Sequence, residues 1–192
     1  MSKAHLWTWE DIVHLPEMEQ PEIIGGQPFV RAIARTTHGR IVSQLSRQVG
    51  RADSPDVRDG WWISVEPSVR LSPHNIVGPD LAGWRKARLP ELPDDWPLDV
   101  RPDWVCEVLS PGTARYDRST KAQLYAASGI PHYWIVDPSE RLVEVLELSG
   151  DKWRVFGVFG DDDKLVLPPF GEFDITVSDL FLPRRPAGPI AP

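Results

Sequence analysis

The amino-acid sequence predicts one α/β domain, and three observations carry that prediction. The 192 residues, 41% of them apolar, suffice for a single sizeable core. Stretches of helical periodicity alternate with short runs rich in Trp, Val and Ile that are broken by Pro and Gly. One such run, Asp103 to Leu109, is apolar on both faces, as a central strand must be. The domain is expected to span residues 1–182, and the proline-rich end, 183–192, to be disordered.

Thr8-Trp9-Glu10-Asp11 has the form of a capping box followed by apolar Ile12, Val13 and Leu15, so a short helix starts there and ends before Pro16. Between Glu22 and Val30, Gly25-Gly26 punctuates two short strands joined by a turn. Ile41, Val42, Leu45 and Val49 recur at helical spacing, giving an amphipathic helix from about His38 to Val49. A strand is expected over Trp61 to Leu71, and another from near Val77 to Trp84. Arg85 to Arg101, with three prolines and no periodicity, reads as a surface flap. Within the central strand, Trp104, Cys106 and Val108 point one way, Val105 and Leu109 the other. Asp117 to Ser128 reads as a helix closed by Gly129 and stopped by Pro131. Then come three strands of an antiparallel meander, His132 to Val136, Leu142 to Leu148 and Trp153 to Phe159, and a last strand and helical turn between Phe170 and Phe181.

Composition narrows the function classes. No run approaches the roughly 18 uninterrupted apolar residues that a bilayer span needs, and the first twenty residues carry charges and prolines instead of an apolar signal block, so a cytoplasmic protein is expected. Cys106 is the single cysteine, which excludes an intrachain disulfide and a cysteine-based zinc site. A net charge of −7 argues against a protein that coats nucleic acid by neutralising phosphates. It leaves room for an enzyme, whose metal-binding carboxylates are acidic of necessity. Such an enzyme needs only local cations such as Arg85, Lys86, Arg88, Arg115 and Arg118. Nine tryptophans exceed the ordinary need of one small core, and some are expected to line a homodimer interface.

Three residues break the patterns around them. Glu107 is a carboxylate inside a strand apolar on both faces, where it must be paired, protonated or metal-bound; a salt-bridged core glutamate is the plain alternative. Lys121 shares a helix face with Leu124 and Tyr125, so it either snorkels past them to water or directs its ammonium at a carboxylate near the Glu107 strand. Asp117, four residues earlier, suits a cap or a partner for Lys121 better than a metal ligand. Asp80 enters the strand expected beside Glu107. The other Pro-Asp pair ends in Asp103, four residues from Glu107 on one strand and therefore about 13 Å away at roughly 3.3 Å per residue. Two ligands of one magnesium ion, with bonds of about 2.1 Å, cannot be so far apart. Asp80 is the better candidate.

Gly78-Pro79-Asp80-Leu81, then Pro102-Asp103-Trp104-Val105-Cys106-Glu107-Val108-Leu109-Ser110-Pro111, then Asp117 and Lys121, then Tyr125 through Pro138 resemble the Uma2 family of putative endonucleases. Trp9-Glu10-Asp11, Leu15-Pro16-Glu17 and Pro21 to Gly26 resemble that family's opening helix, first strand and turn, so the likeness spans most of the chain. It implies a restriction-endonuclease-like, PD-(D/E)XK fold: a mixed central sheet flanked by helices. It also implies that Asp80 and Glu107 are metal ligands, that Glu22 is an early acidic residue able to complete the site, and that His38 at a helix start is an accessory candidate. Where the superfamily pattern has a lysine two residues after the acid, this chain has Leu109, and Lys121 is the replacement the resemblance supports. The implied reaction is phosphodiester hydrolysis, of DNA before RNA, with Mg2+ or substituting Mn2+ held by Asp80 and Glu107. Lys121 would serve as a fixed cation, and Arg115 and Arg118 would steer the backbone. A nuclease fold that has become a binding or regulatory module is the rival reading; a two-carboxylate glycosidase would leave the lysine without a task.

Overall fold

The computed structural model describes residues 5–15, 21–30, 35–54, 59–171 and 173–184. Thr8 caps α1 (Trp9–Ile12), its backbone N–H and hydroxyl both donating to the Asp11 carboxylate at 2.8 and 2.9 Å. The hairpin β1 (Pro21–Ile24) and β2 (Gln27–Val30) turns on Gly25 and Gly26, whose φ angles of 58° and 73° are the left-handed conformation a two-residue hairpin loop needs. Helix α2 (Thr36–Val49) begins two residues before the expected start, so His38 lies within its first turn.

The expected strand from Trp61 to Leu71 is two strands in two sheets, β3 (Trp61–Val65) and β4 (Val69–Ser72). Glu66 takes a left-handed φ of 50° and Pro67 follows it, which breaks the ladder and lets the chain change sheet. The stretch from Val77 to Trp84 divides likewise, into β5 (Asn75–Val77) and β6 (Leu81–Arg85), with Gly78-Pro79-Asp80 as the crossing. The loop after β6 is pinned to the sheet: the Trp62 and Trp84 indoles donate to the Leu89 and Val100 carbonyls, each at 2.8 Å, and Leu98 is buried. It is a stitched cover where a flap was expected.

A six-stranded mixed sheet forms the centre, in the order β10-β9-β8-β7-β6-β3. Strand β7 (Trp104–Val108), wholly buried, runs parallel to β8 (His132–Asp137) and antiparallel to β6. The meander continues through β9 (Leu142–Ser149) and β10 (Lys152–Phe159) as expected. Trp104, Cys106 and Val108 join α2 in one core layer, while Val105 and Leu109 join Tyr125 and Tyr133 in the other, so the sequence alternation marks the two faces correctly. A second sheet, β2-β1-β5-β4, contributes Val69 and Val77 to that other layer.

Helical structure after β7 runs from α3 (Ala114–Tyr116) through a π turn (Asp117–Lys121) into α4 (Ala122–Ala127). Strand β11 (Lys164–Val166), which the sequence did not signal, pairs with β12 (Asp174–Thr176), and a 3₁₀ turn at Val177–Leu180 follows. Of the tail expected to be disordered, Pro183 and Arg184 are described, with Arg184 paired to Asp161 at 2.8 Å; the rest lies outside the described residues. Among the described residues no helix is long and apolar enough to cross a membrane.

Candidate active site

The site is built at the junction of the two sheets. Glu107 sits one residue from the end of β7 on the face that carries Val105, and is 3% exposed. The register Leu81↔Cys106, extended by one residue, sets Asp80 across from Glu107, and the Val108 N–H donates to Asp80 Oδ2 at 2.7 Å. Asp80 thus stands where β6 begins because the Gly78-Pro79 crossing delivers it there. On its other side His38 Nε2 lies 3.1 Å from Asp80 Oδ1, brought by the first turn of α2.

Glu22 enters from the small sheet. Its Oε1 accepts the Gly78 N–H at 2.8 Å and lies 2.9 Å from Lys121 Nζ. The same ammonium donates to Glu107 Oε1 at 3.0 Å and stands 3.9 Å from Asp117 Oδ1. Lys121 is itself only 4% exposed, so it points inward and does not snorkel. The π turn places it: five residues occupy a turn that an α-helix closes with fewer, and both ends, Asp117 and Lys121, face the cluster.

One ammonium therefore lies within 3.9 Å of three buried carboxylates, Glu22, Glu107 and Asp117, with Asp80 across from Glu107, and the charges do not cancel. Burial, with the neighbouring charges of Asp80, Asp117 and Glu22, outweighs Lys121 and pushes the Glu107 carboxyl up to about 8. Burial also raises Asp117. For Lys121 burial favours deprotonation, but Glu107, Glu22 and Asp117 overcome it and hold the ammonium above its usual range. It stays a cation and cannot be a general base.

Two tyrosines belong here that sequence reasoning did not assign. The Tyr125 hydroxyl donates to Glu107 Oε1 at 2.6 Å. Its signal was present, since it lies four residues beyond Lys121 on the same face, but an aromatic at that spacing reads first as packing. The Tyr116 hydroxyl, at the entry of the π turn, is buried without a partner among the described residues.

The remaining candidates lie outside this cluster. Asp103 is occupied elsewhere, accepting from Arg88 Nε at 2.9 Å and from the Arg85 N–H at 2.8 Å. Arg118 pairs with Asp137 and Glu144, and Arg115 is exposed. Arg85 lies over Trp61, and Lys86 pairs with Asp53 over Trp62. The tryptophans are used inside: Trp9, Trp61, Trp84, Trp104 and Trp134 are buried, and only Trp96 is more than half exposed, so tryptophan content gives no support to a dimer interface.

A divalent cation fits this chemistry. Asp80 and Glu107 offer hard oxygen donors, and a cation between them would offset the burial and the neighbouring negative charge that raise the Glu107 carboxyl. Among the described residues no group of three or more His, Cys, Asp or Glu side chains is placed to hold a metal ion by itself. Magnesium does not require one, since it commonly takes one or two carboxylates and keeps water or substrate phosphate in its other positions.

The family model Uma2, described as putative restriction endonuclease, matches residues 9–178. Among solved structures, the chain is similar to a putative nuclease belonging to DUF820 from Anabaena variabilis ATCC 29413, with a TM-score of 0.73 and 23% identity over 91% of this chain and 97% of that one. At that identity the likeness concerns the fold, a mixed sheet with few helices. No curated protein matches.

Proposed function

This chain belongs to the Uma2 family of putative restriction endonucleases, and we propose accordingly that it is a metal-dependent endonuclease that hydrolyses phosphodiester bonds, in DNA before RNA, in the cytoplasm. One observation carries the reading: a buried lysine within 3.0 Å of both Glu22 and Glu107, with Asp80 across from Glu107 on the next strand. A structural ion pair needs one acid and one base. Here three acids surround one base and Asp80 adds a fourth beside Glu107, an excess of negative charge that stability alone does not favour.

Asp80 and Glu107 would hold the magnesium ion, which supplies a polarised phosphoryl oxygen and a more acidic bound water. The chain's own groups do the rest. Lys121, kept protonated by its neighbours, stabilises charge that develops on the phosphate. Tyr125 and Lys121 together fix the Glu107 carboxylate, and His38 with the Val108 N–H fixes Asp80. Glu22 holds Lys121 against the Gly78 backbone so that the ammonium does not close over Glu107 alone. Arg115, exposed at the start of the same helical segment, is placed to meet the flanking backbone; Arg118 would have to leave Asp137 and Glu144 to join it.

The test is cleavage of plasmid and of oligonucleotides, with magnesium or manganese and with EDTA, by wild type beside Asp80→Ala, Glu107→Ala and Lys121→Ala. Wild type cuts only with metal, both carboxylate variants fall to background, and Lys121→Ala falls on the order of 10²- to 10³-fold. Equal cutting by all four would assign the activity to a contaminant. A folded wild type that binds magnesium and oligonucleotide but never cuts would favour the binding-module reading.

A further inference from the structure

The hydroxyl of Tyr116 has no use in the site as so far described. It is buried beside the carboxylate cluster and makes no hydrogen bond among the described residues, an unfavourable arrangement unless something else accepts from it. Tyr116 immediately precedes Asp117, whose carboxylate lies 3.9 Å from Lys121 Nζ, so it stands where the chain enters the turn that carries the groups proposed to act on phosphate. Its ring packs on Phe29, with centroids 5.7 Å apart and planes tilted by 49°. Phe29 is the cross-strand partner of Glu22 in the β1–β2 ladder, so the two side chains share a face, one directed into the cluster and the other 43% exposed. A large exposed phenylalanine on a short edge strand next to buried acids is unfavourable in an isolated chain. It is well placed for a ligand with a flat face at one end and an anionic oxygen at the other.

We propose that Phe29 and Tyr116 form a nucleotide subsite flanking the scissile phosphate, in which the exposed face of Phe29 stacks an unpaired base and the Tyr116 hydroxyl donates to a phosphate oxygen. The proposal rests on the nuclease reading and sharpens it: the substrate class is a nucleic acid single-stranded, or locally opened, at the cleavage point. A base held in a duplex hides both faces in its own stack and cannot lie on Phe29, whereas any unstacked base can, with little regard to sequence. The net charge of −7 agrees with this. An acidic protein gains little from the dense phosphates of a duplex, so stacking must supply a larger share of its affinity.

The experiment measures fluorescence anisotropy of a labelled oligothymidylate and of a blunt duplex of matched length in calcium buffer, then cleavage of both in magnesium, for wild type, Phe29→Ala, Phe29→Trp and Tyr116→Phe. Circular dichroism checks that each variant is folded. Wild type is expected to prefer the single strand. Phe29→Ala should weaken single-strand binding about tenfold, the order of one base stack, and leave duplex binding unchanged, while Phe29→Trp restores it. Tyr116→Phe should keep binding and lose about tenfold in kcat. Equal single-strand affinity in the two Phe29 variants, equal weakening for single strand and duplex, or full turnover by Tyr116→Phe would each overturn the subsite while leaving the nuclease standing. If wild type neither binds nor cuts, the nuclease reading itself falls and takes the subsite with it.

Discussion

At the scale of single residues, Lys121 carries the most consequence, because among the described residues it is the buried ammonium that faces Glu22, Glu107 and Asp117. Its removal should destabilise the fold by about 3–5 kcal/mol, the usual penalty for stranding a buried charge, and urea denaturation of Lys121→Ala measures it. Adding Glu22→Gln should recover part of that loss by removing one of the stranded charges. Glu107 gives a pH signature. Its folded pKa of about 8 lies above the ordinary 4.5, so the folded state binds its proton more tightly than the unfolded chain does. Its contribution to stability is therefore full below about 4.5 and is lost as pH rises toward 8. In metal-free buffer the melting temperature of wild type should fall across that window relative to Glu107→Gln, and parallel curves would show that Glu107 ionises normally. Glu107 and Lys121 were legible in the sequence because each contradicts its own surroundings. Tyr125 and Tyr116 were not, since an aromatic on a helix face contradicts nothing.

At the scale of elements, the strands around Asp80 show where pattern reading stops. Alternation of apolar residues continues through Glu66 and through Gly78-Pro79-Asp80, so the sequence looks like long strands where the chain in fact changes sheet. Glu66 in left-handed conformation leaves no compositional trace, and Pro67 was the one available mark. The π turn is equally silent, because no residue type announces a turn widened by tertiary contact. Its role is testable by shortening it. Deleting Thr120 lets Asp117–Lys121 relax to α geometry and rotates Lys121 by about 100°, one residue of a helix with 3.6 per turn. Helix content by circular dichroism should hold or rise, while cleavage falls to the level of Lys121→Ala. Retained activity would show that the widened turn does not aim the lysine.

At the scale of the whole molecule, the central sheet, its two core layers and the C-terminal meander were legible because burial on both faces and strict alternation leave distinct traces in sequence. The dimer expected from the tryptophan count has a second candidate surface. Outer strand β10 exposes Val155, Phe156 and Val158, and a homodimer through that edge would cover them. Sedimentation should then find wild type dimeric and Phe156→Glu monomeric, whereas a wild type monomeric at micromolar concentration removes the dimer from the proposal. The double crossing between sheets has a different reach. Glu22 belongs to the small sheet, Asp80 to the strand of chain that leaves it, Glu107 to the large sheet and Lys121 to the helical segment, so each major piece of the architecture lends one group to the same few ångströms. Chemistry and cohesion are consequently fastened by a single clasp: an ion settling there would tie both sheets together, and magnesium should raise the melting temperature of the entire chain even in a Lys121→Met protein that has forgotten how to cut.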